Sequence, residues 1–139
     1  MKLSTRSTYG LLAMYHLAGR YPQGPVSVSR ISEKEKISVP YLEQILNRLK
    51  KKGLVHAARG PKGGYRLAKS PEAISVGEVV GILENGMAHE LHPIVNLVWE
   101  KITTRMKDVL DNTSLKELRE EVKRLGLDEA MEHRYTFHI

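Results

Sequence analysis

The chain has 139 residues, 41% of them hydrophobic, a net charge of +6 and no cysteine. That length suits one domain with an appended helix, and the missing cysteine excludes disulfides, thiol catalysis, thiolate zinc sites and cysteine-ligated iron–sulfur clusters. No apolar run approaches the roughly 20 residues of a membrane span, and the opening MKLSTRSTYG lacks the apolar core of a signal peptide, so a cytoplasmic protein without a membrane partner is expected.

In chain order, Ser4 or Thr5 opens a first helix to about Gly19, with Tyr9, Leu12, Ala13, His16 and Leu17 on one face. Arg20 to Pro25 is a loop by its Gly and Pro content. Ser27 caps a short helix over Val28 to Glu35. Ser38 then caps a helix from Pro40 to Lys52, where Leu42, Ile45, Leu46 and Leu49 repeat at i, i+3, i+4, i+7. Its other face carries Tyr41, Glu43, Gln44, Asn47, Arg48 and Lys51. Gly53 stops that helix. Leu54–Ala58 and Tyr65–Leu67 read as short strands around the basic tip Arg59-Gly60-Pro61-Lys62-Gly63-Gly64. Two short helices and a basic hairpin in this order match a winged helix-turn-helix.

Beyond Pro71, Ser75-x-x-Glu78 is a capping box that starts a helix to about Leu83. Met87 to Pro93 reads as a loop. The longest helix, Ile94 to Asp111, has a broad apolar stripe that includes Val98, Trp99, Ile102, Met106, Val109 and Leu110. These six are the expected dimer interface, because a two-fold operator needs a two-fold protein. A last short helix runs from Leu115 to about Leu125. The expected organisation is a winged domain over 1–84, a connecting loop over 85–93, dimerisation helices over 94–125 and a tail over 126–139. The fold class is mostly α with a small β-hairpin wing.

Charge divides along the same boundary. Residues 1–70 carry 14 Lys and Arg against three Glu, a net of +11, while residues 71–139 carry 8 against 13, a net of −5. A polyanion is therefore expected to meet the first half only. Glu43 can accept from cytosine N4, Gln44 can pair with adenine, and Arg48 with guanine or phosphate. Arg59 and Lys62 suit a narrow minor groove. Gly60, Gly63 and Gly64 allow a sharp turn and close approach. Arg6, Lys50, Lys51 and Lys52 suit phosphates. Ser38, Pro40, Tyr41, Asn47 and Tyr65 complete the expected DNA-binding set. No Gly-rich phosphate loop follows a strand and no nucleophile–base constellation appears, so an enzyme is not expected.

These residues resemble the Rrf-two family of bacterial winged-helix transcription regulators. The resemblance is carried by KLSTRSTYGLLAM, ISVPYLEQILNRLKKKGLV, RGPKGGYRLAKSPEAISVGEVV and VWEKITTRMKDVLDNTSLKEL, together most of the chain. The pairing of YLEQ-x-x-x-x-L with RG-x-x-GGY-x-L is far more specific than a helix-turn-helix alone. It implies a homodimeric regulator, a repressor, on a palindromic operator of double-stranded DNA. The helix over 40–52 would lie in the major groove and the tip over 59–64 in the minor groove.

Many members of that family ligate an iron–sulfur cluster with three cysteines between the fourth helix and the long helix. Here that window, LENGMAHELHPIVNLVW, has none, so no cofactor is expected. In this respect the chain is similar to the family's cysteine-metabolism repressors, which implies control of cysteine or sulfur genes. It also implies a contact with cysteine synthase through the apolar tail ending Phe137-His138-Ile139. The alternative is a metal- or iron–sulfur-responsive regulator whose ligand is held by non-cysteine residues, or a clusterless form of one. His89 and His92 offer two imidazoles at i, i+3, but such a pair in a polar loop reads as surface, and no metal site is expected.

Overall fold

Serine starts five of the six helices in the computed structural model, which describes residues 3–84 and 93–127 apart from the side chains of Val95, Asn96 and Trp99. The helices are α1 (Thr5–Arg20), α2 (Val28–Glu35), α3 (Val39–Lys51), α4 (Val76–Leu83), α5 (Pro93–Asp111) and α6 (Leu115–Arg124). Ser4, Ser27, Ser38, Ser75 and Ser114 each accept a bond from a free N–H of the first turn. Each such cap stabilises its helix by about 1 kcal/mol. At Ser75 the capping box closes fully, with Glu78 reaching back to the cap's own N–H.

Strands β1 (Val55–Ala58) and β2 (Gly64–Leu67) form the antiparallel wing, with Val55 opposite Leu67 and Ala58 opposite Gly64. Gly53, at φ +79, ends α3 in the left-handed conformation, and the Leu54 N–H returns to the Leu49 carbonyl at 3.0 Å. A third extended piece, missed from the sequence, flanks β2. Val26 and Tyr65 exchange backbone bonds of 2.8 and 2.9 Å. Gly64 makes that approach possible, since a side chain there would collide with the Val26 carbonyl.

One hydrophobic core gathers side chains from every described helix except α5, and Leu110 of α5 packs against it. Leu42, Ile45, Leu46 and Leu49 are at most 1% exposed, as the spacing predicts. On α1 the buried face differs from the expected one. Ser7, Gly10, Ala13, Met14, Leu17 and Ala18 are buried, whereas Tyr9, Leu12 and His16 are only half-buried. The reason is close approach: a side chain at Gly10 would strike Leu83 of α4. Small residues mark that seam, and a hydropathy pattern passes over them.

The long helix also divides differently. Leu97, Val98, Ile102 and Val109 are between 37% and 67% exposed, while Met106 is half-buried and Leu110 turns to the chain's own core. Leu110, one of the six expected dimer residues, thus also packs within the chain, and the Trp99 side chain lies outside the described residues. The last helix, α6, also joins the core of the winged domain. The Val76 N–H donates to the Thr113 carbonyl at 2.7 Å and the Leu115 N–H to the Ile74 carbonyl at 3.0 Å. Leu115 is fully buried. Arg119 donates to the Tyr15 carbonyl at 2.6 Å, with its guanidinium 4.1 Å from the centre of the Tyr15 ring.

Replacing Leu115 by Ala is expected to lower the unfolding free energy by about 2–5 kcal/mol, the range for a fully buried leucine. Because α6 shares the core, thermal denaturation should show a single transition at a lower midpoint. Two transitions, with the winged helices melting at the wild-type temperature, would contradict the shared core.

Candidate nucleic-acid interface

Rotation of α3 about its axis decides which of its polar groups face outward. At about 100° per residue, Leu42, Ile45, Leu46 and Leu49 occupy one arc of about 100°. Pro40, Glu43, Gln44, Asn47 and Lys51 occupy the opposite arc, and all five are exposed. Tyr41 and Arg48 lie between the two arcs and are half-buried. The expected polar face of six residues thus separates into four outward groups, joined by Pro40, and two flanking ones. Tyr41 meets Tyr9 of α1 edge to face, centroids 5.8 Å apart. Arg48 Nη2 donates to the Ile82 carbonyl at 3.4 Å. Ser38 is exposed but occupied as the cap of α3.

The turn that presents α3 was not legible in its residues. Lys36 takes the left-handed conformation at φ 58, and its N–H bonds to the Ser32 carbonyl. The Ser32 hydroxyl donates to the Ile37 carbonyl at 2.5 Å, closing the turn from the other side. Behind it, His16 Nε2 lies 2.8 Å from Glu35 Oε1. Glu35 is buried at the end of α2, where a carboxylate opposes the helix dipole and needs a partner. That pairing tied His16 to the turn rather than to the apolar core.

The wing carries its charge at the tip. Arg59, Gly60 and Lys62 are exposed, and the Gly63 N–H closes a turn on the Gly60 carbonyl at 2.9 Å. Gly63, Gly64 and Tyr65 are half-buried at the base. Burial raises the Tyr65 hydroxyl above its ordinary pKa, and the negative charge of Glu43 pushes the same way. Glu43 of α3 and the wing base therefore share one neighbourhood.

Arg6, expected to meet a phosphate, also makes a contact within the chain. Its Nε donates to the Leu83 carbonyl at 2.8 Å, so it caps the end of α4. Beside it, Glu84 accepts from the Ser4 N–H at 3.2 Å, from the Ser4 hydroxyl at 2.7 Å and from the Ser7 hydroxyl. Burial pushes the Glu84 carboxyl up, but those hydrogen bonds and the Arg6 charge outweigh it and hold the group below the usual carboxylate range. Nothing in the residue pattern signalled this junction.

Among the described residues no group of three or more His, Cys, Asp and Glu is placed to hold a metal ion. His89, His92 and the segment Phe137–Ile139 lie outside the described residues. No described helix is long and apolar enough to cross a membrane.

A helix-turn-helix whose second helix exposes hydrogen-bonding and charged groups next to a basic wing is the architecture of DNA-binding transcriptional regulators. Residues 3–121 match the family described as Rrf2, iron-dependent transcriptional regulator, and the chain belongs to that family. It is 37% identical over 123 residues to the regulator CymR of Bacillus subtilis, covering 85% of this chain and 89% of CymR. The solved structure of that protein, the global cysteine regulator of B. subtilis, superposes with a TM-score of 0.75 at 35% identity, covering 87% of this chain and 98% of CymR. IscR of T. potens superposes with a TM-score of 0.77 at 39% identity, covering 88% of each chain. The family's description names iron, but this chain has no thiolate to hold a cysteine-ligated cluster.

The Glu84 junction predicts a pH dependence. A carboxyl held below its unfolded-state pKa stabilises the fold fully above the ordinary glutamate range, and that contribution disappears as pH falls through the folded value. Glu84→Gln should be less stable than wild type at neutral pH. The difference should shrink on acidification from the ordinary glutamate range downward, as followed by urea denaturation. A difference that stays constant from neutral to strongly acid pH would contradict the assignment.

Proposed function

We propose that the protein binds a two-fold-symmetric operator as a homodimer, with α3 in the major groove and the wing tip in the adjacent minor groove. The observation that carries this reading is the outward arc of Pro40, Glu43, Gln44, Asn47 and Lys51, set opposite a fully buried leucine–isoleucine arc. Glu43, Gln44 and Asn47 suit base edges, and Lys51 suits a phosphate. Arg59 and Lys62 suit the electronegative minor groove. Ser38, Tyr41 and Tyr65 border these groups, and Gly60, Gly63 and Gly64 keep the wing slim.

The dimer reading rests on Leu97, Val98, Ile102 and Val109, an exposed apolar stripe on a 19-residue helix. Burying it against a second copy would remove the unfavourable hydration of four aliphatic side chains. Regulation of cysteine or sulfur metabolism is supported by the likeness to B. subtilis CymR, the global cysteine regulator, and by the cysteine-free sequence, and the reading takes that regulation to be repression. An iron–sulfur signal through thiolates has no ligands in this chain and forms no part of the reading.

Binding to a duplex from the regulated promoter, followed by mobility shift, should weaken steeply with salt, with a log–log slope of about −0.9 per phosphate neutralised. Gln44→Ala should relax preference at one base pair by about 1–3 kcal/mol, while Lys51→Ala should weaken all sequences alike and flatten the slope. Salt-insensitive binding, or none to any fragment, would remove the DNA-binding reading.

For the dimer, a chain carrying Val98→Glu and Ile102→Glu should sediment as a monomer and bind the full operator at least about tenfold more weakly, because the two half-sites no longer add. A dimeric mass for this variant would move the interface elsewhere.

A further inference from the structure

The α4 helix ends without a basic residue of its own in its last turn. Its final carbonyls have no partner further along the helix and carry the negative end of the helix dipole. Two cations come to them from other elements. Arg6 of α1 donates to the Leu83 carbonyl and Arg48 of α3 to the Ile82 carbonyl. The next residue, Glu84, is held by the backbone and hydroxyl of Ser4 and the hydroxyl of Ser7 at the start of α1. The reading helix α3 and its neighbour α1 are thus tied to one turn of α4.

We propose that this turn is a lock that sets the pose of α3 on DNA, and that Arg48 is a positioning residue acting through α4 rather than a ligand of bases or phosphates. Arg48 lies off the outward arc of α3 and is half-buried, unlike Glu43, Gln44, Asn47 and Lys51. Pulling its guanidinium to the DNA would strip the Ile82 carbonyl of that donor and loosen the α4 end. The lock also gives Glu84 a role in DNA binding, although a carboxylate cannot ligate phosphate. This inference rests on the DNA-binding reading above.

Two effects separate the lock from direct contact. Removing a negative charge from a DNA-binding protein ordinarily strengthens binding through the long-range field. Under the lock, Glu84→Gln weakens it. Replacing a phosphate ligand lowers the salt slope by about 0.9 per phosphate. Under the lock, Arg48→Met leaves the slope unchanged.

The experiment uses the full chain and a duplex enriched by the wild-type protein from a random-sequence pool. Fluorescence anisotropy across a salt series is measured well below the melting midpoint, with circular dichroism confirming that each variant is folded. Arg48→Met and Glu84→Gln are each expected to weaken binding about fivefold, and the double variant no more than the worse single one, since both break one coupled unit. Ser7→Ala, a small uncharged change at a buried site that cannot touch DNA, is expected to weaken binding about twofold at unchanged slope and keeps the test open if Arg48→Met fails to fold. A lower slope for Arg48→Met, wild-type or tighter binding by folded Glu84→Gln and Ser7→Ala, or multiplying effects in the double variant overturns the lock. A wild type that enriches no duplex overturns the DNA-binding reading itself, and the lock with it.

Discussion

The burial of four side chains on one arc of α3 is the constraint from which the rest of the structure follows. Leu42, Ile45, Leu46 and Leu49 leave almost no surface to water. Each is worth about 1.5–3 kcal/mol relative to exposure, so rotating α3 by even one residue position would forfeit several kcal/mol. That cost pins the helix azimuth and therefore points Glu43, Gln44, Asn47 and Lys51 outward. The capped start at Ser38 and the left-handed stop at Gly53 set its length, and the wing begins as soon as it ends.

Around that helix the polar interactions act as spacers between elements. His16 with Glu35 fixes α1 against the turn, Arg119 with Tyr15 fixes α6 against α1, and the end of α4 collects Arg6, Arg48 and the Glu84 contacts. Most join residues far apart in the chain. A charge count treats every Lys and Arg of the basic half as a candidate for phosphate. The structure divides them into exposed groups, such as Lys51, Arg59 and Lys62, and half-buried groups that also bond carbonyls of the chain itself, such as Arg6 and Arg48.

Much of this architecture was legible because its signals are local. Serine caps, the i, i+3, i+4, i+7 repeat of α3, the Ser75–Glu78 box and the glycine-rich hairpin each lie within a few residues, and the helices start within a residue or two of the positions those signals mark. The α1 face was misread because Ser7 and Gly10 are buried for their smallness, which a hydrophobic pattern does not register. The strand-like Val26 was missed because its partner lies 39 residues away and pairing leaves no trace in composition. The left-handed Lys36 was missed because lysine is not a residue that announces that conformation.

By itself, the sequence determined the class of the protein: periodicity and capping specify which segments are helical, and the basic first half with its helix–hairpin order specifies a polyanion reader. It also determined a negative, since without cysteine no thiolate can hold a cluster here. Only the tertiary structure shows which charged groups stand exposed and which also bond carbonyls of the chain itself. The carbonyls that engage Arg6 and Arg48 become acceptors only because a helix ends there, and they come within reach only when α1, α3 and α4 pack on one core.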